Sequence, residues 1–350
     1  MSAQDVVLAL APNWLGDSVM ALPAVADLRR HYSDARLIVA GRPSVAALFG
    51  MVPGVDEVVT LTWRGSVWRA AQASADVRAL RDTRAGVAVL LPNSFASAWL
   101  VWRADIRERW GYARDRRSWL LTRAVPRPSR SVHQGRYYQE LIRAGGIPNG
   151  PLTPIVVPPA DATASAVALL GEHGWDGLAP IVVVAPGAAY GTAKQWPVSH
   201  VRTLVAGLAS AGCACVLVGS RADAETTAAV GVGLDTELRR RVIDIAGDTS
   251  LPVLAAVLSL AGVCVSNDSG AMHLAGAVGV PVVAVFGPTN EAETSPLTRS
   301  VAPAQVLTAP SWCRPCMLRT CPLDHRCMQG VEPDRVRRAV ERALAGPVGR

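Results

Sequence analysis

Short apolar runs alternate with segments of helical periodicity along most of the chain. An unbroken apolar run predicts a strand buried on both faces, as in parallel sheets covered by helices. These runs predict strands over residues 5–10, 36–40, 55–61, 86–91, 109–112, 119–121, 181–185, 213–219, 242–246, 262–266, 281–286 and 306–308. The segments between them predict helices over residues 17–31, 43–49, 64–81, 94–103, 132–144, 162–173, 199–211, 223–230, 235–241, 251–259, 270–278 and 333–344. The pattern favours an α/β protein built from βαβ units.

The alternation is interrupted between residues 145 and 159, where glycine and proline are frequent. A chain of 350 residues also exceeds one typical hydrophobic core. We therefore predict two doubly wound domains in series. They are an N-terminal domain over residues 1–150 and a C-terminal domain over residues 179–332, joined by a linker and connecting helix over 151–178 and followed by a terminal helix over 333–350.

Targeting signals are weak in this sequence. The first apolar run, residues 6–11, is too short for the apolar region of a signal peptide. The longest apolar stretch, residues 251–265, is shorter than the ~20 residues that span a bilayer. The sequence predicts a soluble protein of the cytoplasm.

The net charge of +7 is unevenly distributed. Residues 103–143 contain eleven arginines and four acidic residues, and six of the ten tryptophans lie between Trp63 and Trp119. A basic stretch with tryptophans indicates an anionic partner, such as a nucleic acid, a membrane surface or a phosphorylated glycan. A solvated surface in an arginine-rich protein is the alternative.

Lys194 is the only lysine among 35 basic residues, and it follows a loop of small residues, PGAAYGTAKQWP, after the predicted strand 181–185. A chain that otherwise uses arginine retains a compact ammonium here, which indicates a specific need for it. The loop is not a P-loop, since Gly191 is not followed by Lys and Ser or Thr. We predict that Lys194 neutralises a diphosphate.

The segment SNDSG, residues 266–270, joins a predicted strand to a predicted helix. Free N–H groups and the helix dipole make such a helix start an anion site. Gly270 allows close approach to the backbone, and His273 lies one turn further on. The alternative is that Asp268 or Ser269 only caps the helix.

Two more aspartates follow predicted strands. Asp17 lies in the loop APNWLGDS, where it is either a helix cap or a general base. Asp223 follows Gly219 in a turn without the GxGxxG fingerprint, so it either caps a helix or holds a ribose hydroxyl. The missing glycines argue against a dehydrogenase.

The last cluster contains Cys313, Cys316, Cys321 and Cys327, with His325 between the last two. The first pair has the spacing of zinc ligands, whereas the second does not. A disulfide is not expected in a cytosolic chain. Reduced, packed thiols and a structural metal site both remain open.

Taken together, the segments PNWLGDSVMALPA, PGAAYGTAKQWP, AGDTSLPVLAAVLSLA, VSNDSGAMHLAGAVGVPVVAVFGPTN and CRPCMLRTCPLDHRCM resemble the family-9 glycosyltransferases in family order. The likeness is greatest to their ADP-heptose:lipopolysaccharide heptosyltransferase II group. It implies a GT-B fold, with two Rossmann-like domains facing across a cleft. It also implies inverting transfer of heptose from ADP-heptose to an inner-core heptose on Kdo-lipid A, at the inner membrane leaflet, with no catalytic metal and no nucleic-acid partner.

The resemblance also assigns roles by matched motif. It implies that Asp17 is the general base, that Lys194 contacts the phosphates and that Asp268 contacts the donor sugar. The residues implied to line the diphosphate site are Ser269, Gly270, Ala271 and His273, and those near the adenine are Thr249, Ser250 and Leu251. Asn290–Glu293 replaces an expected proline-bearing run, which leaves the sugar contacts of that loop undetermined.

Three rival functions differ in what they require. A sugar-nucleotide 2-epimerase shares the architecture but would convert its substrate without an acceptor. A nonenzymatic binder of anionic glycans or nucleic acid would use the arginine-rich half and turn over no donor. A family-9 transferase specific for another sugar would differ only in a few contacts.

Overall fold

The computed structural model describes residues 5–63 and 72–346. The chain divides into two compact units between Ile155 and Val156, a point inside the predicted linker. Each unit contains a parallel sheet of six strands. In the part of the chain described, no helix combines the length and apolarity needed to cross a membrane.

The first unit has the strand order β3-β2-β1-β4-β5-β6. Its strands are β1 (Val6–Leu10), β2 (Arg36–Gly41), β3 (Glu57–Thr60), β4 (Val87–Leu90), β5 (Glu108–Tyr112) and β6 (Arg123–Val125). Its helices are α1 (Leu15–Met20), α2 (Leu22–His31), α3 (Pro43–Phe49), α4 (Ser74–Asp82), α5 (Phe95–Arg103) and α6 (Gln134–Ala144).

The second unit has the strand order β12-β11-β10-β7-β8-β9, which is the same winding. Its strands are β7 (Ile181–Ala185), β8 (Ala214–Leu217), β9 (Val242–Asp244), β10 (Val263–Asn267), β11 (Val282–Phe286) and β12 (Gln305–Thr308). Its helices are α7 (Ala160–Glu172), α8 (Val198–Ser210), α9 (Ala224–Gly231), α10 (Thr236–Arg239), α11 (Leu251–Leu260), α12 (Gly270–Val278), α13 (Glu291–Thr294), α14 (Arg326–Gln329) and α15 (Pro333–Leu344).

The central strands of both sheets are buried along their whole length, as their apolar sequences predict. Each sheet reverses its winding at one place, between β1 and β4 in the first unit and between β7 and β10 in the second. In doubly wound sheets, ligands bind beyond the carboxyl ends of the strands at this switch point. The predicted class of two doubly wound α/β units is confirmed.

Three predicted elements of the first unit need correction. The strand predicted over residues 119–121 is wrong: Ser118–Leu120 is a 3-10 turn, and β6 follows it. The single helix predicted over residues 17–31 is two helices that meet at Ala21, because Pro23 has no N–H to continue the ladder. Of the helix predicted over residues 64–81, residues 64–71 lie outside the described part, and α4 begins at Ser74.

The last helix, α15, belongs to the core of the second unit. It packs on α8 and on strands β10 and β11. Val336, Ala339 and Val340 are fully buried in the same apolar cluster as β7 and β10. The second unit therefore completes its core with residues beyond its last strand.

Candidate functional site

The two loops at the switch point of the second sheet carry the strongest sequence motifs. The loop after β7 contains Lys194, and the loop after β10 contains Asp268. Parallel strands end at one edge, so both loops lie there, and the structure brings the two side chains into contact. The Lys194 ammonium donates to Asp268 Oδ2 over 2.6 Å, and both side chains are largely buried.

Further contacts fix this ion pair. Thr289, from the loop after β11, donates from Oγ1 to the same Asp268 Oδ2 over 2.7 Å. The ammonium of Lys194 lies 4.6 Å from the centre of the Tyr190 ring, a cation–π arrangement. The roles of Thr289 and Tyr190 escaped the sequence analysis, because both depend on loops that only the fold brings together.

The start of α12 has no side-chain cap. Ser269 holds the N-cap position, but its side chain accepts no hydrogen bond from the helix. Its Oγ lies 2.9 Å from Ser266 Oγ instead, while Asp268 is engaged with Lys194. The capping alternative is therefore wrong for both residues. Gly270 and Ala271 are half-buried at this helix start, and His273 is buried one turn into the helix.

The side chain of Asn267 links the loop after β7 to the end of β10. Its side chain is buried, donates to Pro186 O over 2.7 Å, and accepts from the backbone N–H of Trp196. The side chain thus ties both ends of the Lys194 loop to the last residue of β10. Its place in the SNDSG motif was the only sequence signal for this role.

Asp223 follows β8, and Thr249, Ser250 and Leu251 follow β9, at the same edge of the sheet. Asp223 Oδ2 accepts from the backbone N–H and the hydroxyl of Ser220, which completes a capping box. This capping box belongs to the 3-10 turn Arg221–Asp223, whereas the Asp223 side chain makes no cap hydrogen bond to α9. Ser250 caps α11 by accepting from the Val253 N–H, with Thr249 and Leu251 on either side of it.

The loop over residues 290–293 forms the start of a short helix. Asn290 caps α13 by accepting from the Ala292 N–H. Glu291 pairs with Arg314 over 2.8 Å, and Arg314 also donates to the carbonyl of Gly287. Residues 290–293 thus form a capped turn that is held by the cysteine-rich segment.

The cysteine-rich segment, residues 311–328, packs against both loops that flank the ion pair. The backbone N–H of Met317 donates to Pro288 O, and its carbonyl accepts from the Tyr190 hydroxyl over 2.8 Å. The carbonyl of Arg319 accepts from Ala193 N–H next to Lys194 and lies against Gly191, whose φ is +153°. A Cβ at residue 191 would collide with this backbone.

The four thiols of this segment are near one another but form no metal site by geometry. Burial raises the pKa of Cys327, and the nearby Cys313, Cys316 and Cys321 raise it further. Among the residues that the structure describes, no three His, Cys, Asp or Glu side chains are arranged to hold a metal ion. All four cysteines are free thiols, and the structural metal site stays a prediction.

Asp17 lies at the switch point of the first sheet. It occupies the third position of α1, whose N-cap residue is Trp14, so the N-cap alternative is wrong. The preceding loop is held by the buried Ser18, whose hydroxyl donates to Pro12 O over 3.0 Å. Burial, and next the charge of Asp17, raise the pKa of Tyr138 on α6. A half-buried carboxylate is thus presented at the carboxyl edge of β1.

An open cleft lies at the same switch point, between the loops after β1, β2 and β4. Its polar lining comes from Asn13, Arg42, Ser94 and Ser97. Trp63 also lines it, and its buried Nε1 has no hydrogen-bond partner among the described residues. A buried N–H of this kind favours a ligand that offers an oxygen.

Arg117 organises the loop behind this cleft. Arg117 is one of the eleven arginines of the basic stretch 103–143, yet it is fully buried. Its guanidinium donates to five neutral oxygens: Tyr112 O, Pro92 O, Ser94 O, Ser97 Oγ and Asn93 Oδ1. Burial lowers its pKa to about 10. Because most of these acceptors belong to the loop after β4, Arg117 fixes one wall of the cleft.

Replacing Arg117 with methionine is expected to destabilise the protein by about 3–5 kcal/mol, since the variant leaves several buried acceptors without donors. Urea unfolding followed by circular dichroism measures the loss. Arg116→Met is the matched control, because Arg116 is exposed and its replacement is expected to change stability by less than about 0.5 kcal/mol. Equal stability of the two variants would contradict the role of Arg117.

The two switch points therefore present complementary chemistry. The second offers an ammonium and the N–H groups of an uncapped helix start, which suit a phosphate or diphosphate. The first offers a carboxylate able to accept a proton, beside a polar cleft.

Known proteins of one family resemble this chain over most of its length. The family model for glycosyltransferase family 9 (heptosyltransferase) matches residues 75–326. The chain is 29% identical over 301 residues to lipooligosaccharide heptosyltransferase 2 of Haemophilus ducreyi, covering 84% of this chain and 86% of that protein. It is 28% identical over 313 residues to lipopolysaccharide heptosyltransferase 2 of Escherichia coli K12, covering 86% and 88%.

A solved structure shows the same fold over nearly the whole chain. The E. coli ADP-heptose lipopolysaccharide heptosyltransferase II superposes with a TM-score of 0.82 at 26% identity, covering 97% of this chain and 98% of that one. The predicted GT-B class, with two Rossmann-like domains, is confirmed by this likeness and by the two sheets.

Proposed function

This chain belongs to glycosyltransferase family 9, and we propose that it transfers L-glycero-D-manno-heptose from ADP-heptose to an inner-core heptose of lipopolysaccharide, with inversion. The names of its relatives support the sugar, the nucleotide and the glycolipid. The observation that carries the proposal is the Lys194–Asp268 pair beside the uncapped start of α12. The ammonium of Lys194 and the N–H groups at the start of α12 suit the negative charge that a leaving nucleoside diphosphate gains.

The proposed reaction is a single displacement. The acceptor hydroxyl oxygen forms a bond to the anomeric carbon while the bond from that carbon to the β-phosphate oxygen breaks. The hydroxyl proton passes to the carboxylate of Asp17, and the electron pair leaves with ADP. Lys194 and the first N–H groups of α12 stabilise the charge on the leaving group, so the proposal requires no catalytic metal.

The donor contacts follow from the second sheet edge. We assign the diphosphate to Lys194 and to four residues at the helix start: Ser269, Gly270, Ala271 and His273. Asp268 takes the donor sugar, since its second oxygen remains available beside the ion pair. Thr249, Ser250 and Leu251 lie toward the adenine, and the Oδ1 of Asp223, which the capping box does not use, suits a ribose hydroxyl.

The acceptor is proposed to bind at the first sheet edge. The cleft beside Asn13 is open to solvent, and Trp63 Nε1 and Arg42 at its wall suit the oxygens of a sugar or a neighbouring carboxylate. An acceptor carried on lipid A would place the enzyme at the cytoplasmic face of the inner membrane.

Mass spectrometry of the products tests the function. The enzyme is incubated with ADP-heptose, other ADP-sugars or UDP-sugars, each with and without a defined inner-core acceptor. We expect one heptose to be added to the acceptor, only from ADP-heptose and only when the acceptor is present. Transfer of another sugar would overturn the donor assignment, and conversion of the nucleotide sugar without acceptor would indicate a 2-epimerase.

A further inference from the structure

One surface of the first unit exposes aromatic rings in a continuous group, which we call the α5 aromatic surface. It consists of Trp102 on α5, Trp119 on the 3-10 turn and the partly buried Phe95 at the start of α5. Trp119 is 67% exposed and Trp102 is 40% exposed. Their ring centres lie 6.0 Å apart, and Phe95 and Trp119 are 6.2 Å apart.

The exposure follows from how α5 packs. Ala98 and Val101 on its inner side are fully buried, and the helix packs on β4, β5 and α4. Residues 95 and 102 are seven positions apart and therefore lie on one face of the helix, where Phe95 still packs partly against the core and Trp102 is exposed. Exposed aromatic clusters rimmed by charged residues mark interaction sites.

The charge around this surface indicates an anionic partner. Residues 102–123 contain seven arginines and three acidic residues, a net charge of +4. Five of these arginines are exposed and lie close to the rings in sequence: Arg103, Arg107, Arg114, Arg116 and Arg123. Arg103 also lies over the Trp99 ring at 5.8 Å.

The ring geometry distinguishes between anionic partners. Nucleic-acid bases stack on open, separate aromatic faces. Here Trp102 and Trp119 meet edge to face at 68° and Phe95 leans on Trp119, so the rings form one joined surface. Tryptophan with flanking arginine is the composition that proteins place at the interface between water and a bilayer.

We propose that the α5 aromatic surface docks the enzyme on a bilayer that contains anionic lipids. Trp102 and Trp119 enter the interfacial region, and the surrounding arginines bind lipid phosphates. The surface does not depend on which sugar the enzyme transfers.

Co-sedimentation with lipid vesicles tests the docking. Wild-type protein is mixed with vesicles of phosphatidylcholine alone or with added phosphatidylglycerol, at low and high salt. We expect binding to the anionic vesicles that weakens with salt. The double variant Trp102→Ser/Trp119→Ser is expected to bind at least about tenfold more weakly. Trp312→Ser is the matched control, because Trp312 is 77% exposed in the second unit.

Transfer assays separate this proposal from the proposed function. The double variant is expected to use a water-soluble, lipid-free acceptor as well as wild type does, but to lose activity on acceptor embedded in vesicles. The docking surface would be overturned if the double variant bound anionic vesicles as strongly as the wild type. It would also be overturned if the wild type did not bind anionic vesicles at low salt. The docking surface would also be overturned if the double variant bound vesicles normally but lost binding to single-stranded RNA or lost self-association.

Discussion

Replacing Asp17 with alanine is expected to lower kcat by about 10²–10⁴-fold, the range for a lost general base, while ADP binding is unchanged. The carboxylate lies in the first turn of α1, at the carboxyl edge of β1, where the winding of the sheet reverses between β1 and β4. It does not serve as the N-cap. Single-turnover assays with saturating donor measure the chemical step, and calorimetric titration with ADP measures binding.

Two further variants define that result. Asp17→Asn keeps the shape of the side chain but cannot take the proton, so it is expected to be as impaired as Asp17→Ala. Asp161→Ala removes an exposed acid from the first turn of α7 and is expected to leave activity unchanged. Near-normal turnover in Asp17→Ala would rule out this residue as the base.

Replacing Lys194 with alanine is expected to lower kcat/KM for the sugar donor by about 10²–10³-fold, as for other lost electrostatic contacts to a leaving group. The KM for the acceptor is expected to stay within a factor of about two, because only the diphosphate loses a contact. Lys194→Arg is not expected to restore activity, since the ammonium is enclosed by Asp268 and the Tyr190 ring.

A neighbouring cation provides the control for Lys194. Arg319 is exposed and its guanidinium lies 5.2 Å from the centre of the same Tyr190 ring, so Arg319→Ala is expected to have little effect on the donor. Thermal unfolding is followed in parallel, because loss of one partner from a buried ion pair costs about 3–5 kcal/mol. A kinetic defect confined to the acceptor would contradict the assignment.

The elements around the donor loops follow closely from local sequence. The helix predicted over residues 270–278 is α12 to the residue, because a glycine follows a small polar turn and Gly279 ends the helix in the left-handed conformation. The strands β7 and β10 are apolar runs with polar loops on both sides. Periodicity and turn chemistry are local signals, so the sequence suffices for them.

The pairing of side chains within the site does not follow from local sequence. Asp268 and Lys194 are separated by 73 residues, and nothing in either loop specifies that they form an ion pair rather than two separate ligand contacts. Arg117 shows the same limit, since an arginine among arginines gives no sign of burial. The Trp119–Leu121 run was mistaken for a strand because two leucines that face the core give the same pattern in a turn.

The position of α15 in the core of the second unit sets the order in which the two units can complete folding during synthesis. All six strands of the first unit end by Val125, and α6 ends at Ala144, so that unit can fold while the rest of the chain is still being made. The second sheet, by contrast, lacks the apolar cover of Val336, Ala339 and Val340 until α15 emerges. The unit that holds Lys194 and Asp268 therefore completes its core only after α15 has left the ribosome, later than the first unit completes its own.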